Sequence, residues 1–176
     1  MQDSGKPNDD PAAAVAVVMG SDSDLPKMRG CLEVLAEFGI PFEVEVISAH
    51  RTPDRAHQFA ATAEERGVRV LIAGAGGAAH LAGVLASLTT LPVIGVPIAS
   101  SALNGVDALY ATVQMPPGVP VATVAIDGSA NAAILAAQIL ATGDSALRDK
   151  LREYKLAMAE KVHKKARKVK DALKQQ

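Results

Sequence analysis

At 176 residues with 49% hydrophobic side chains, the chain is long enough for one domain with a sizeable core. Aromatic residues make up only 3% and Trp is absent, so 33 alanines and the larger aliphatic residues must build that core. One cysteine excludes an intrachain disulfide and a cysteine-based metal framework, and no apolar run reaches membrane-spanning length. The net charge of −1 hides an uneven distribution: residues 161–176 hold seven Lys or Arg against one acid, and the remainder eleven against eighteen. The first apolar stretch follows polar and acidic residues rather than a basic segment. No secretory leader is therefore expected, and the expected setting is the cytoplasm.

Residues 1–13 are rich in Asp, Asn, Pro and Gly without any period and read as a disordered tail. Residues 14–19 form a continuous apolar run, as in a strand covered on both faces. The loop Gly20-Ser21-Asp22-Ser23-Asp24 leads into a helix with Met28, Cys31, Leu32, Leu35 and Phe38 on one stripe, ended by Gly39. On that stripe Cys31 is expected to be a buried structural thiol. Residues 42–47 alternate apolar side chains with Glu43 and Glu45, which reads as a second strand. Thr52 is then placed to cap a helix, with Pro53 at its first position and Asp54 in its first turn; that helix is expected to reach Arg66 before Gly67 stops it. A third strand over residues 68–73 opens into the loop from Gly74 to His80, and a helix runs on to about Leu88. A fourth strand over residues 92–96 is followed by a loop carrying Ser100, Ser101 and Asn104, then by a short helix to about Val113. Residues 121–126 read as a fifth strand and 129–141 as a helix. Beyond Gly143 one long helix sets Leu147, Leu151, Tyr154, Met158 and Val162 on one face.

Strands alternating with helices at this spacing imply a parallel sheet with right-handed crossovers. The expected architecture is a three-layer α/β/α sandwich with a flavodoxin-like five-stranded parallel sheet, the strand order left open, plus the long C-terminal helix. The expected organisation is a tail over residues 1–13, a catalytic domain over 14–143, and a terminal helix over 144–176 whose apolar stripe suggests packing on a neighbouring subunit. The basic end reads as a solvated helix terminus. Without interleaved aromatics, and beside a neutral-to-acidic body, neither nucleic acid nor membrane is an expected partner.

Three loops carry the chemistry. In the first, Gly20 permits close backbone approach, and Ser21 and Ser23 add hydroxyls to the unpaired N–H groups of a helix start, a seat for phosphate. Asp24 suits a vicinal diol instead, since a carboxylate accepts from two ribose hydroxyls. The same residues serve equally well as a capped helix start, with Asp22 or Ser23 as the cap. The second loop, Ser48-Ala49-His50-Arg51-Thr52-Pro53, joins a hydroxyl, an imidazole that titrates near neutrality and a guanidinium suited to phosphate or carboxylate. It lies where a strand hands over to a helix, the edge at which open α/β sheets bind ligands. The third loop, with Gly74, Gly76 and Gly77 among alanines, lets a ligand lie on bare backbone. It matches neither the Walker loop nor the dinucleotide fingerprint. His50 and His80 have no carboxylate or thiol at ligand spacing, so no metal is expected. Together the loops describe a pocket for a small phosphorylated riboside with an imidazole placed to move protons.

These residues closely resemble the motifs of the PurE family. The likeness rests on Gly20 to Asp24, Ser48 to Pro53, Ala73 to His80, Ala102 to Asp107 and Val113 to Pro116, and spans about residues 15–140. The Gly/Ala third loop is similar to the bacterial class, the N5-carboxyaminoimidazole ribonucleotide mutases of de novo purine synthesis. The resemblance implies a flavodoxin-like fold, a homo-octamer, a phosphorylated ribonucleotide substrate, and no metal or organic cofactor. It further implies that Ser21, Asp24 and Arg51 bind phosphate and ribose and that Ser23, Ser48 and Ala49 line the site. Gly76, Gly77, Ala78 and His80 would form its far wall, and His50 would be the general acid/base. Departures stand at Ala82, where Pro is common, at Ala99, where Gln is frequent, and at Asp127, where Gly is usual. They are expected to bear on subunit contacts rather than on chemistry. Rival readings are an aminoimidazole ribonucleotide carboxylase using free carbon dioxide, and a non-catalytic nucleotide-binding module.

Overall fold

The structure is a computed structural model that describes residues 12–173; the tail expected over residues 1–13 lies, up to residue 11, outside the described residues. The chain divides into two compact units, residues 1–136 and 137–176. Its elements are β1 (Val15–Met19), α1 (Leu25–Phe38), β2 (Phe42–Val46), α2 (Pro53–Ala61), β3 (Val70–Gly76), α3 (Leu81–Ala86), β4 (Val93–Ile98), α4 (Val106–Val113), β5 (Ala122–Thr123), α5 (Ser129–Leu140) and α6 (Ser145–Leu173).

In the first unit five parallel strands stand in the order β2-β1-β3-β4-β5, the flavodoxin-like arrangement. From β1 the chain goes to one edge, and from β3 it moves to the other. The order thus reverses between β1 and β3, where such sheets leave a crevice outside their carboxyl ends. Alternation divides the strands between two helical layers. Ala16, Val18, Leu71 and Ala73 join Ala56 and Ala60 of α2 and Leu81, Ala82 and Leu85 of α3 in one cluster. On the other face Met28 of α1 lies against Gly74, so close that a methyl there would come within 2.6 Å of its sulfur. Beside α1, Ser129 at the start of α5 donates from Oγ to the Lys27 carbonyl at 2.6 Å. Each fully buried side chain such as Leu35, Ile72 and Ile94 contributes about 1.5–3 kcal/mol. Cys31 is buried as expected.

Several elements differ from the sequence reading, each for a local reason. β3 continues through Gly74, Ala75 and Gly76, paired with Val96, Pro97 and Ile98 of β4; the interstrand ladder holds a glycine-rich segment that has little strand preference of its own. β5 shrinks to two residues, because this edge strand has one neighbour and the chain bends away at Asp127, with φ of 57°. α2 ends at Ala61 rather than Arg66. There the Thr62 hydroxyl donates to the Gln58 carbonyl at 2.9 Å, a back-bond that loosens a helix. Thr52 stands at the cap position of α2, but its side chain makes no capping bond. β2 presents its faces in the opposite sense to the amphipathic expectation. Glu43 and Glu45 are half-buried, paired with Arg66 at 2.9 Å and Arg55 at 2.5 Å, while Val44 and Val46 are 39% and 45% exposed.

In the second unit, Asp144 Oδ1 accepts from the Leu147 N–H at 3.0 Å, and the Arg148 guanidinium donates to the carbonyls of Ala141 and Thr142. Leu147 and Leu151 of α6 are buried, whereas Met158, Val162, Val169 and Leu173 are exposed. No helix among the described residues is long and apolar enough to cross a membrane.

Candidate active site

A cleft of about 370 Å³ opens at the carboxyl ends of the central strands, lined by the loops after β1 and β2, the end of β3 and the loop after β4. Of the residues expected in the site, Ser21, Ser23, Asp24, Ser48, Ala49, His50, Arg51, Gly76 and Ala78 line it. Gly77 does not; it turns the chain in the left-handed region, with φ of 59°. His80 also lies off the lining but reaches His50. Gly20, read as the point of close backbone approach, lines it too, and Ala75, Leu81 and Ser100 do so without having been singled out as site residues. For Ser100 no spacing or motif in the sequence separates it from the other hydroxyls of its loop.

The loop after β1 is both a capped turn and part of the cleft. Ser21, not Asp22 or Ser23, caps a short helical turn over Asp22–Asp24: its Oγ accepts from the Ser23 N–H at 3.3 Å, and Asp24 Oδ2 accepts from the Ser21 N–H at 3.0 Å. This reciprocal pair fixes both side chains at the mouth of β1. Asp24 is only 6% exposed. Burial raises its carboxyl above the usual range and Asp22 adds to the rise; the Ser21 N–H works in the opposite direction.

The loop after β2 is closed by its own hydrogen bonds. Thr52 Oγ1 donates to the Ser48 carbonyl at 2.9 Å and accepts from the Ser48 N–H at 3.1 Å. Ser48 Oγ accepts from both the backbone N–H and Nε of Arg51, each at 3.2 Å. The guanidinium also donates to the Gly20 carbonyl at 3.5 Å, so it spans the mouths of β2 and β1. Arg51 has no ion-pair partner among the described residues, which leaves a positioned cation to meet an anion at the cleft.

His50 Nε2 lies 2.8 Å from His80 Nδ1, with ring centroids 4.9 Å apart and planes at 74°. One nitrogen must donate and the other accept, so this contact forms with at most one of the two rings cationic. The rest of the lining is Ala75, Gly76, Ala78, Leu81 and Ser100, bare of side chain at Gly76. A methyl added at Gly76 would lie 1.9 Å from Ser100 Oγ, so the strand and the loop after β4 meet there with no room for a side chain. That loop is fastened at Ala99, whose N–H donates to Asp127 Oδ1 at 3.0 Å. Two of the three departures from the family pattern, Ala99 and Asp127, thus bond to each other next to Ser100 of the cleft lining. Ala82, the third, is buried in the first turn of α3. Among the described residues no group of three or more His, Cys, Asp and Glu side chains comes together as a metal site.

The family model described as AIR carboxylase matches residues 14–161. The chain belongs to the AIR carboxylase family. Among relatives, it is 58% identical over 157 residues to the N5-carboxyaminoimidazole ribonucleotide mutase of Pyrococcus horikoshii, covering 89% of each chain. It is 57% identical over 155 residues to the protein of the same name from Thermotoga maritima, covering 88% of this chain and 91% of that one. The crystal structure of Treponema denticola PurE superposes with a TM-score of 0.77 at 29% identity, over 85% of this chain and 94% of that one.

Proposed function

We propose that this chain is an N5-carboxyaminoimidazole ribonucleotide mutase of purine synthesis, with His50 as its general acid/base. The observation that carries the reading is the meeting of His50, Arg51, Ser21 and Asp24 with a wall of small residues in one cleft, in a chain whose close relatives bear that name. Arg51, with Ser21 and Ser23, holds the phosphate; Asp24 accepts from the ribose hydroxyls. Ser48, Ala49, Gly76 and Ala78 line the pocket. Gly77 lets the wall turn, and His80 orients the His50 ring through their shared hydrogen bond.

The substrate carries a carbamate on its exocyclic nitrogen. As the N–C bond breaks, its electron pair stays on nitrogen, which takes a proton from His50, and carbon dioxide is released against the glycine wall. The adjacent ring carbon then attacks it, forming the C–C bond, and its ring proton passes to His50. The net change moves the carboxylate from nitrogen to carbon and one proton the other way, and the imidazole returns to its starting state. Holding carbon dioxide beside the carbon supplies an effective-concentration advantage of up to roughly 7–11 kcal/mol, and the proton transfers add about 10²–10⁴-fold.

Self-association is part of this proposal. Leu103, Val106, Tyr110 and Val113 form an exposed apolar stripe along α4 and the loop before it, and Val44 and Val46 of β2 are uncovered as well. Such faces suit copies of the same chain, and an octamer in the cytoplasm is the expected state, with α6 on a neighbouring subunit. The exposed segment after Met158, with its Lys and Arg residues, then remains a solvated terminus.

The description of the family as AIR carboxylase supports a second reading, in which free carbon dioxide adds to the aminoimidazole ribonucleotide. Turnover of preformed carbamate, against that of aminoimidazole ribonucleotide with bicarbonate, separates the two. Faster product formation from the second mixture overturns the mutase. His50→Asn should keep ribonucleotide affinity within about threefold and lose at least 10²-fold in kcat; parental kcat in that variant removes His50 from the acid/base role, and a parent that binds the ribonucleotide without turning it over is a binding module.

A further inference from the structure

We infer that Asp127 is a positioning residue that fastens the loop after β4, and through Ala99 sets Ser100 as the movable wall of the cleft. The inference rests on the proposed reaction for its kinetic consequence but on geometry for its cause. Asp127 stands at φ of 57°, a left-handed backbone in which a non-glycine residue costs energy. Its carboxylate uses both oxygens: Oδ1 accepts from the Ala99 N–H at 3.0 Å, and Oδ2 meets Lys27 Nζ of α1 at 2.5 Å. Its own N–H donates to the Pro97 carbonyl at 2.8 Å. The turn is also packed from within. A methyl added at Gly105 would lie 2.6 Å from Ile126 and 3.2 Å from Ala99, so the two ends of the loop and the Asp127 turn converge on one point.

Ser100, the next residue after Ala99, is exposed and lines the cleft, and it touches the strand only where Gly76 leaves it room. Freed at Ala99, this hydroxyl-bearing wall can withdraw from Gly76 while Ser21, Asp24 and Arg51 stay in place. The phosphate anchor therefore survives and enclosure of the reacting end is lost. The expected signature is a fall in kcat with little change in KM.

Asp127→Gly is a clean deletion, because glycine accepts the left-handed backbone and only the carboxylate disappears. Asp127→Asn keeps an acceptor for the Ala99 N–H and loses the ion pair; Lys27→Met removes the ion pair alone. Hydrogen exchange of the peptide spanning residues 98–104 and steady-state kinetics with the carbamate substrate are measured on all four full-length proteins. Asp127→Gly should exchange at least tenfold faster in that peptide and lose about tenfold in kcat with KM within twofold. Asp127→Asn and Lys27→Met should stay within threefold of the parent in both. Parental exchange in Asp127→Gly overturns the inference whatever the kinetics show, as does equal loss in Asp127→Asn, which would assign the effect to the ion pair. A parent that does not turn over the carbamate defeats the proposed reaction instead, and the exchange comparison then decides the fastening by itself.

Discussion

Gly76→Ala tests whether the bare wall is a packing requirement. Gly76 pairs with Ile98 of β4 at the end of β3, so it cannot retreat without breaking that end of the ladder. The new methyl would lie 1.9 Å from Ser100 Oγ, 2.7 Å from Ser100 Cβ and 3.0 Å from the Ile98 carbonyl oxygen. Rotating Ser100 removes the first contact but not the second. Carbon–carbon contact normally begins near 3.5 Å, so the Ser100 backbone must withdraw by roughly 0.8 Å against its tether at Ala99. Overpacking on this scale costs about 1–3 kcal/mol. Urea denaturation should show that loss in Gly76→Ala. In the double variant with Ser100→Gly, which leaves only the Ile98 contact, about 1 kcal/mol or more should return as coupling. A single variant within 0.5 kcal/mol of the parent refutes the argument. So does a double variant no better than the sum of its parts, since Ser100 would then not be what the methyl meets.

Asp24→Asn keeps an acceptor for the Ser21 N–H and removes a buried charge. Because burial raises the folded-state carboxyl above its unfolded value, the Asp24 contribution to stability is present at low pH and is lost as pH rises through the folded value. The Asn variant should therefore be at least as stable as the parent at pH 7, and the difference should close near pH 3–4, while product affinity falls about tenfold or more; lower stability at pH 7 with unchanged affinity refutes both roles. Arg51→Met should raise KM about 10- to 100-fold through lost charge-assisted bonds to phosphate, and Arg51→Lys should not restore it, because Nε then no longer reaches Ser48; an unchanged KM removes Arg51 from the anchor. Cys31 is fully buried and its thiol is pushed up to about 12 by that burial, so iodoacetamide at pH 8 should label it only in urea; rapid stoichiometric labelling of the native protein contradicts the core packing.

The alternation of strands and helices was legible because β1, β3 and β4 are continuous apolar runs punctuated by glycine. Where pairing outweighs composition, the reading failed. Gly74, Ala75 and Gly76 look like loop, yet they form a strand because β4 pairs with all three in register and β1 still pairs with the first. The alternation in β2 signalled a strand correctly but not its facing. Arg55 and Arg66, ten and 23 residues away in sequence, draw Glu43 and Glu45 beneath α2, and the valines turn outward. Chemistry held within one loop was easier to read than chemistry assembled across loops. His50 and Arg51 are adjacent in the chain and announce themselves. Ser100 enters the cleft only because Asp127 and Gly76, 27 residues later and 24 earlier, place it there, and nothing near Ser100 encodes that.

The loop after β2 shows why a short motif can carry so much of the site. Thr52 forgoes capping α2 and bonds to both backbone groups of Ser48 instead, while Ser48 Oγ takes two donors from Arg51. The five residues therefore close on themselves before any ligand arrives, and Pro53, which has no N–H, leaves one fewer unpaired donor at the helix start. Within that closed turn the imidazole and the guanidinium belong to consecutive residues, so one peptide unit separates their Cα atoms and tertiary contacts aim the two heads. The guanidinium is drawn back across β1 by the Gly20 carbonyl and the imidazole is drawn toward α3 by His80. A ligand whose anion sits on the first must then present its far end to the second. In the proposed reaction, orientation is thus set by bonds that exist without the ligand, the condition under which binding energy at one end of a substrate can be spent on its reacting end.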